Sequence, residues 1–295
     1  MRTFRERLID PRPILLDGAM GTELEHRGIN TDTPIWSAMA LIEKPDLVEQ
    51  VHRDYLDAGA EVLITNTFRT HRRNLASMGM GERAAELTAL AVAIAQQAIR
   101  ASGRVAWVAG SLAPLEDSYV ANALPRETYL EEHGEMAAHL AATGADLLLV
   151  ETISTIREAS AAAEAARATG LPYGVSFICK TDGRMFSGES LAEAVAALQS
   201  FTPDFLGINC TAAPELHLAL AELRNATNLP IAVYANPSHT EDYQHWDETA
   251  AVDPQVYAGY GERWLQGGAQ LLGGCCGTTP EHIAALHDLI GVEDA

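Results

Sequence analysis

Thr143-Gly144-Ala145-Asp146-Leu147-Leu148-Leu149-Val150-Glu151-Thr152 decides the fold. The glycine closes a helical pattern over residues 126–143, because glycine tolerates the left-handed backbone of a tight helix-to-strand turn. The run after it is continuously apolar, as in a parallel strand covered on both faces. The same punctuation recurs at Ala58-Gly59-Ala60, Thr169-Gly170-Leu171 and Gln266-Gly267-Gly268-Ala269. Outward from there, strands are expected at 14–20, 61–68, 105–112, 146–152, 172–178, 205–210, 230–237 and 270–276. Helices are expected at 45–58, 82–102, 126–143, 155–169, 191–200, 214–225, 254–266 and 280–290. The second of these carries Leu87, Leu90, Ala91, Ile94 and Ala98 on one face. Pro214, Pro254 and Pro280 stand where helices begin, a position that tolerates the missing N–H. Eight apolar strands alternating with eight helices imply an α/β fold, a single (β/α)8 TIM barrel over residues 1–295. A doubly wound open sheet is disfavoured, since no G-x-G-x-x-G follows the first strand.

Apolar residues make up 47% of the chain and charged ones 20%, the balance of a globular enzyme with an ample core. No run approaches the roughly 20 apolar residues of a membrane span, and no apolar signal core follows Met1-Arg2-Thr3-Phe4-Arg5-Glu6-Arg7. A cytoplasmic protein with four reduced cysteines is expected. The formal net charge of -20 repels phosphate backbones, which argues against nucleic acid as a partner. Such a surface serves solubility more often than it steers a cationic substrate.

Three of the cysteines end apolar runs: Cys210 after Phe205-Leu206-Gly207-Ile208-Asn209, and Cys275-Cys276 after Gln270-Leu271-Leu272-Gly273-Gly274. Adjacent cysteines rarely pair with each other, and the spacing is unlike the Cys-x-x-Cys of a structural zinc site. Both runs are even-numbered strands, whose side chains share layers of a barrel interior. Gly273, Gly274 and Gly277 would let consecutive side chains reach one ion. Three thiolates without an evident fourth ligand point to zinc with an open position, as in a catalytic site. Cys179, inside the fifth strand, is read as a small buried residue.

Carboxylates stand at two other strand ends. Asp17 in Leu16-Asp17-Gly18-Ala19 is expected to contact a ligand, with the N–H groups of Gly18 and Ala19 available to a carboxylate. The alternative is an acid that caps the following turn. Glu151 is expected at the barrel mouth rather than merely opening a helix. Two carboxylates and a patch of free N–H groups would match an amino acid's ammonium and carboxylate. Asn66 and Asn209 either orient a ligand or complete loop hydrogen bonds. Trp36 and the stretch Tyr243, His245, Trp246 lie in long loops and offer ring faces to a sulfonium or quaternary ammonium, or pack as a lid. The histidines show no metal spacing; His52, His133, His139 and His217 are expected on solvated helix faces.

Asp17-Gly18-Ala19-Met20-Gly21-Thr22-Glu23-Leu24, Gly207-Ile208-Asn209-Cys210 and Gly273-Gly274-Cys275-Cys276-Gly277-Thr278-Thr279-Pro280 together resemble the zinc-dependent homocysteine S-methyltransferase family. The resemblance spans essentially the whole chain, with the Gly-Gly-Cys-Cys-Gly segment as its most specific part. It implies that Cys210, Cys275 and Cys276 bind zinc, that homocysteine is the fourth ligand, and that Asp17 and Glu151 hold its amino group. Ile35-Trp36-Ser37-Ala38 looks like the small S-methylmethionine-dependent enzymes, and the long C-terminal extension of betaine-using relatives is absent. Thr65-Asn66-Thr67-Phe68 looks more like the homocysteine module of cobalamin-dependent methionine synthase. The expectation is zinc-dependent methyl transfer from a small-molecule sulfonium donor to homocysteine. The alternatives are S-adenosylmethionine, a betaine or a methylated corrinoid partner protein as donor, and, in another class, a non-catalytic zinc or thiol-sensing barrel.

Overall fold

A computed structural model of the chain describes residues 2–240 and 245–291. Eight parallel strands form a ring, Ile14–Leu15, Val62–Ile64, Trp107–Leu112, Leu147–Ile153, Tyr173–Phe177, Phe205–Ala212, Ile231–Asn236 and Leu271–Gly274. Each pairs with the next in sequence from the second onward, and the eighth also pairs with the first. The parallel bridge Leu16–Val62 closes the ring, where Asp17 donates its N–H to the Val62 carbonyl at 3.0 Å. The sequence therefore folds as the expected (β/α)8 barrel.

Local chemistry sets the joints. Gly59, Gly144, Gly170 and Gly268 all have positive φ, between 76° and 100°, directly before a strand. Asp253 caps the helix Pro254–Gln266 through the N–H groups of Gln255 and Val256, with Pro254 at its first position. Pro214 departs from expectation. It sits in a turn held by Glu215 N–H on the Ala212 carbonyl, and the helix begins only at His217. The helix expected from residue 82 opens with the 3-10 turn Gly81–Arg83 and is α-helical over Ala84–Ser102.

Two apolar shells hold the barrel. The outer one lies between strands and helices. The inner one fills the barrel with Leu16, Val62, Trp107, Leu149, Phe205 and Leu271, among others. A short helix, Phe4–Leu8, which the sequence pattern did not announce, inserts Phe4 and Leu8 into this inner shell from the N-terminal end. The Phe4 ring meets Trp107 and Phe205 edge to face, each at 6.1 Å. Arg7 on the same helix is 2% exposed; it pairs with Glu61 at 2.8 Å and donates to the carbonyls of Arg12 and Pro13. One end of the barrel is thus filled and latched, which leaves the C-terminal end to carry a site.

Two histidines expected on solvated faces are buried. His52 faces the core of its helix, and burial pushes its imidazole down to about 3, so it is neutral. His133 places Nε2 3.1 Å from the buried Glu158 carboxylate. Imidazole is half apolar, so helical periodicity alone does not separate a packed ring from a solvated one. His139 is half-buried and His217 exposed. Among the described residues no helix is long and apolar enough to cross a membrane.

Candidate active site

The sulfurs of Cys210, Cys275 and Cys276 converge at the C-terminal end of the barrel, all within 4.8 Å of one another. Cys210 gets there by leaving regular strand geometry. Its φ is +50°, costly for a residue with a Cβ, and it lies where the register of its strand shifts between Asn209 and Ala212. The eighth strand turns the other two sulfurs inward, with the Cys275 N–H donating to the Ala235 carbonyl at 2.9 Å. Of the flanking glycines, Gly277 has φ of +87°, whereas Gly273 and Gly274 are needed for space. A Cβ on Gly274 would lie 2.2 Å from Thr278 Oγ1, and one on Gly273 would lie 2.7 Å from Leu16 Cβ. Hydrogen bonds from the Cys210 and Cys275 thiols hold Cys276 well below the usual thiol range. Three such sulfurs can hold a soft or borderline divalent metal and leave a position open. Cys179 is buried apart from this group, its backbone tied to the Thr211 hydroxyl.

Glu151 lines the same cavity as the sulfurs and is 6% exposed. Ser111 Oγ donates to its Oε1. Burial nevertheless pushes the carboxyl up to about 8, and the neighbouring Cys275 adds to the rise. The backbone bends immediately afterwards, with Thr152 at φ +60° in a second register shift. Asn209 braces this corner. Its Oδ1 accepts from Thr152 N–H at 3.0 Å and Ser176 Oγ at 2.8 Å, and its Nδ2 donates to Thr152 Oγ1 at 2.7 Å and lies 4.0 Å from Cys275 Sγ. Of its two expected roles, Asn209 fills the bracing one, between the Glu151 corner and the sulfurs.

Asp17 lies behind the lining at 1% exposure. Its Oδ2 accepts from Ile64 N–H at 2.9 Å with His52 Nδ1 4.0 Å away, and its Oδ1 is buried without a partner. Burial raises this carboxyl well above the usual range. Gly18 and Ala19 line the cavity, but the Ala19 N–H, expected to face a ligand, donates to Thr278 Oγ1 at 3.1 Å. The Thr278 hydroxyl donates in turn to the Cys275 carbonyl at 2.8 Å, stitching the first loop to the cysteine loop. That leaves the amide of Gly18 to carry this part of the expectation. Ser111, Thr278 and the buried Tyr234, which also lines the cavity, escaped sequence reading. For Ser111 a signal existed: like Glu151, it is a polar residue near the end of an apolar strand.

The cavity encloses about 640 Å³. Trp36, at φ +43°, stands on one wall; its ring meets Phe68 edge to face at 5.7 Å and packs so closely that a Cβ on Gly21 would lie 2.1 Å from it. Asn66 holds this loop in place, donating from Nδ2 to the Ser37 carbonyl at 2.9 Å and accepting from Ser37 Oγ at 2.7 Å. Trp246 lines the outer part and is 37% exposed. Tyr243 lies outside the described residues. Glu25, Asp32, Glu116 and Asp117 complete an acidic outer lining.

The family model for homocysteine S-methyltransferase matches residues 14–290. The homocysteine S-methyltransferase YbgG of Bacillus subtilis (strain 168) is 32% identical over 299 residues, covering 94% of this chain and 95% of its own. The homocysteine S-methyltransferase of Escherichia coli (strain K12) is 34% identical over 305 residues, covering 95% and 96%. Among solved structures, the metallated form of the homocysteine methyltransferase MmuM from Escherichia coli matches with a TM-score of 0.84 at 33% identity, over 97% of this chain and 99% of that one.

Proposed function

The chain belongs to the homocysteine S-methyltransferase family, and from that premise we propose a zinc-dependent enzyme that moves a methyl group from a sulfonium donor, S-methylmethionine first, to homocysteine, giving methionine. The observation that carries this reading is the convergence of Cys210, Cys275 and Cys276 in a cavity shared with Glu151 and Trp36. The donor set suits zinc: three sulfurs grouped without a fourth His, Cys, Asp or Glu ligand among the described residues. Bound there, zinc would supply the Lewis acidity that keeps a thiol deprotonated and in place.

The chain's own residues do the rest. Glu151 receives the α-ammonium of homocysteine at the cavity wall with the Asp17 carboxyl behind it, and the arriving cation offsets the burial that otherwise favours their protonated forms. Ser111 fixes the Glu151 carboxyl, and Asn209 fixes the corner that carries it. Trp36 and Trp246 offer ring faces to the donor's cation, a contact worth about 0.5–2 kcal/mol. Asn66 acts by positioning Trp36. The acceptor sulfur's electron pair forms the new C–S bond while the donor's C–S pair stays on its own sulfur. The leaving group is therefore a neutral thioether, and no protein acid has to protonate it. All substrates are small molecules, and the cytoplasm is the proposed location.

Steady-state assays with homocysteine and each donor at equal concentration test the reading. Turnover is expected with S-methylmethionine. Robust turnover with glycine betaine, or only with a methylcobalamin-bearing partner protein, and none with S-methylmethionine contradicts it.

A further inference from the structure

Resting on the zinc reading, we infer that Tyr257 is a positioning residue for the metal centre. From outside the cavity, its hydroxyl pins the backbone that carries Cys275 and Cys276 and so sets where their sulfurs meet Cys210. Tyr257 lies on the helix Pro254–Gln266, is fully buried and does not line the cavity. Its ring meets Trp264 and His282 edge to face, each at 5.3 Å. From this apolar layer the hydroxyl reaches the seam between the seventh and eighth strands. It lies 2.9 Å from both the Gly273 and the Ala235 carbonyls, with one hydrogen to donate, and accepts from the Ala235 N–H at 3.2 Å. The Ala235 carbonyl is also the acceptor of the Cys275 N–H at 2.9 Å. One oxygen atom thus joins the residue two before Cys275 to the group that holds Cys275 itself.

Two features make this contact more than the satisfaction of a strand end. A phenylalanine would fill the same space, so what the hydroxyl adds is hydrogen bonding in an apolar layer. The backbone it holds is also the softest part of the eighth strand, because Gly273 and Gly274 have no side chains to pack and the widest choice of φ and ψ. The far end of the cysteine turn is tied several times over. Gly277 N–H donates to Thr22 Oγ1 at 2.9 Å, the Thr278 hydroxyl holds the Cys275 carbonyl, and the Tyr55 hydroxyl lies 2.8 Å from the Ala19 carbonyl and 3.3 Å from that of Thr278. The entering end relies on strand bonds and Tyr257. Without the hydroxyl the glycine pair is freer to shift, and Cys275 and Cys276 shift with it relative to Cys210, which stands on another strand. Sulfurs within 4.8 Å of one another fit a single ion, and a wider triangle holds it less tightly.

The experiment measures zinc affinity by chelator competition in wild type, Tyr257→Phe and Tyr173→Phe. The absorption spectrum of each cobalt(II)-substituted protein reads the geometry and thiolate ligation of the same site. Tyr173 is a comparably buried tyrosine whose hydroxyl donates to the Phe201 carbonyl, at the other end of the barrel. Tyr257→Phe is expected to weaken zinc binding by about 10–100-fold, as for other groups that orient a metal's ligands, and to shift the cobalt bands. Tyr173→Phe should keep zinc affinity within about twofold and the wild-type spectrum, because distant sites act independently. A Tyr257→Phe protein with wild-type zinc affinity and cobalt spectrum overturns the inference, whatever its stability. So does a Tyr173→Phe protein that loses as much zinc affinity, which would trace the effect to global stability. A wild type that binds neither zinc nor cobalt overturns the zinc reading and this inference together.

Discussion

Replacing Cys210, Cys275 or Cys276 by Ala is expected to remove tight zinc binding and turnover together, while Cys179→Ala keeps both. Metal analysis alongside the methyl-transfer assay checks this, and a Cys179→Ala protein without zinc contradicts it. Glu151 carries a second expectation. Its carboxyl is raised from 4.5 to about 8, so the buried neutral form contributes stability that is complete below about pH 4.5 and lost as pH rises through about 8. Glu151→Gln should flatten the stability profile of the metal-free protein across that window and keep zinc binding, while weakening homocysteine by about 2–3 kcal/mol in calorimetry. Unchanged homocysteine affinity would reduce Glu151 to a structural acid near the end of its strand. Both carboxylates and all three thiols were legible because each ends an apolar run. Ser111 and Thr278 were not, because their roles arise from partners 40 and 259 positions away, Glu151 and Ala19. Asn66 and Asn209 stood out in sequence but turned to protein partners, which only packing decides.

At the scale of elements, strands and most helices read correctly because each is written twice, in apolar patterning and in the glycine or cap that ends it. Boundaries slipped where a local contact won. The first strand expected over residues 14–20 is regular only over Ile14–Leu15 and bridges Val62 at Leu16 before its end opens into the site, and Pro214 stands in a turn rather than at a helix start. The helix Phe4–Leu8 went unseen because its charged sequence looks like a solvated end. Its importance lies in Arg7, which is buried among Glu61 and two carbonyls. Arg7→Met should cost about 2–3 kcal/mol in denaturant unfolding, below the usual value for a broken buried pair because Glu61 is partly exposed. Activity of the folded fraction should persist. A loss below about 0.5 kcal/mol would mean that the latch contributes no more than a surface pair.

For the whole molecule, the two apolar shells are built without Cys210 and Cys276, and Cys275 only packs against the inner one. What the fold supplies to chemistry is placement: two bent strand ends bring Cys210 and Glu151 inward, and a glycine-rich eighth strand brings Cys275 and Cys276 to meet them. The central claim is that this cluster holds zinc with a position open for the acceptor's sulfur. Zinc-edge X-ray absorption of the purified protein, before and after homocysteine is added, tests it most directly. The account predicts about one zinc per chain bound by three sulfurs and one lighter atom, with the lighter atom replaced by a fourth sulfur on adding homocysteine. A protein that binds no zinc, or whose zinc keeps the same ligands when homocysteine is saturating, would contradict it.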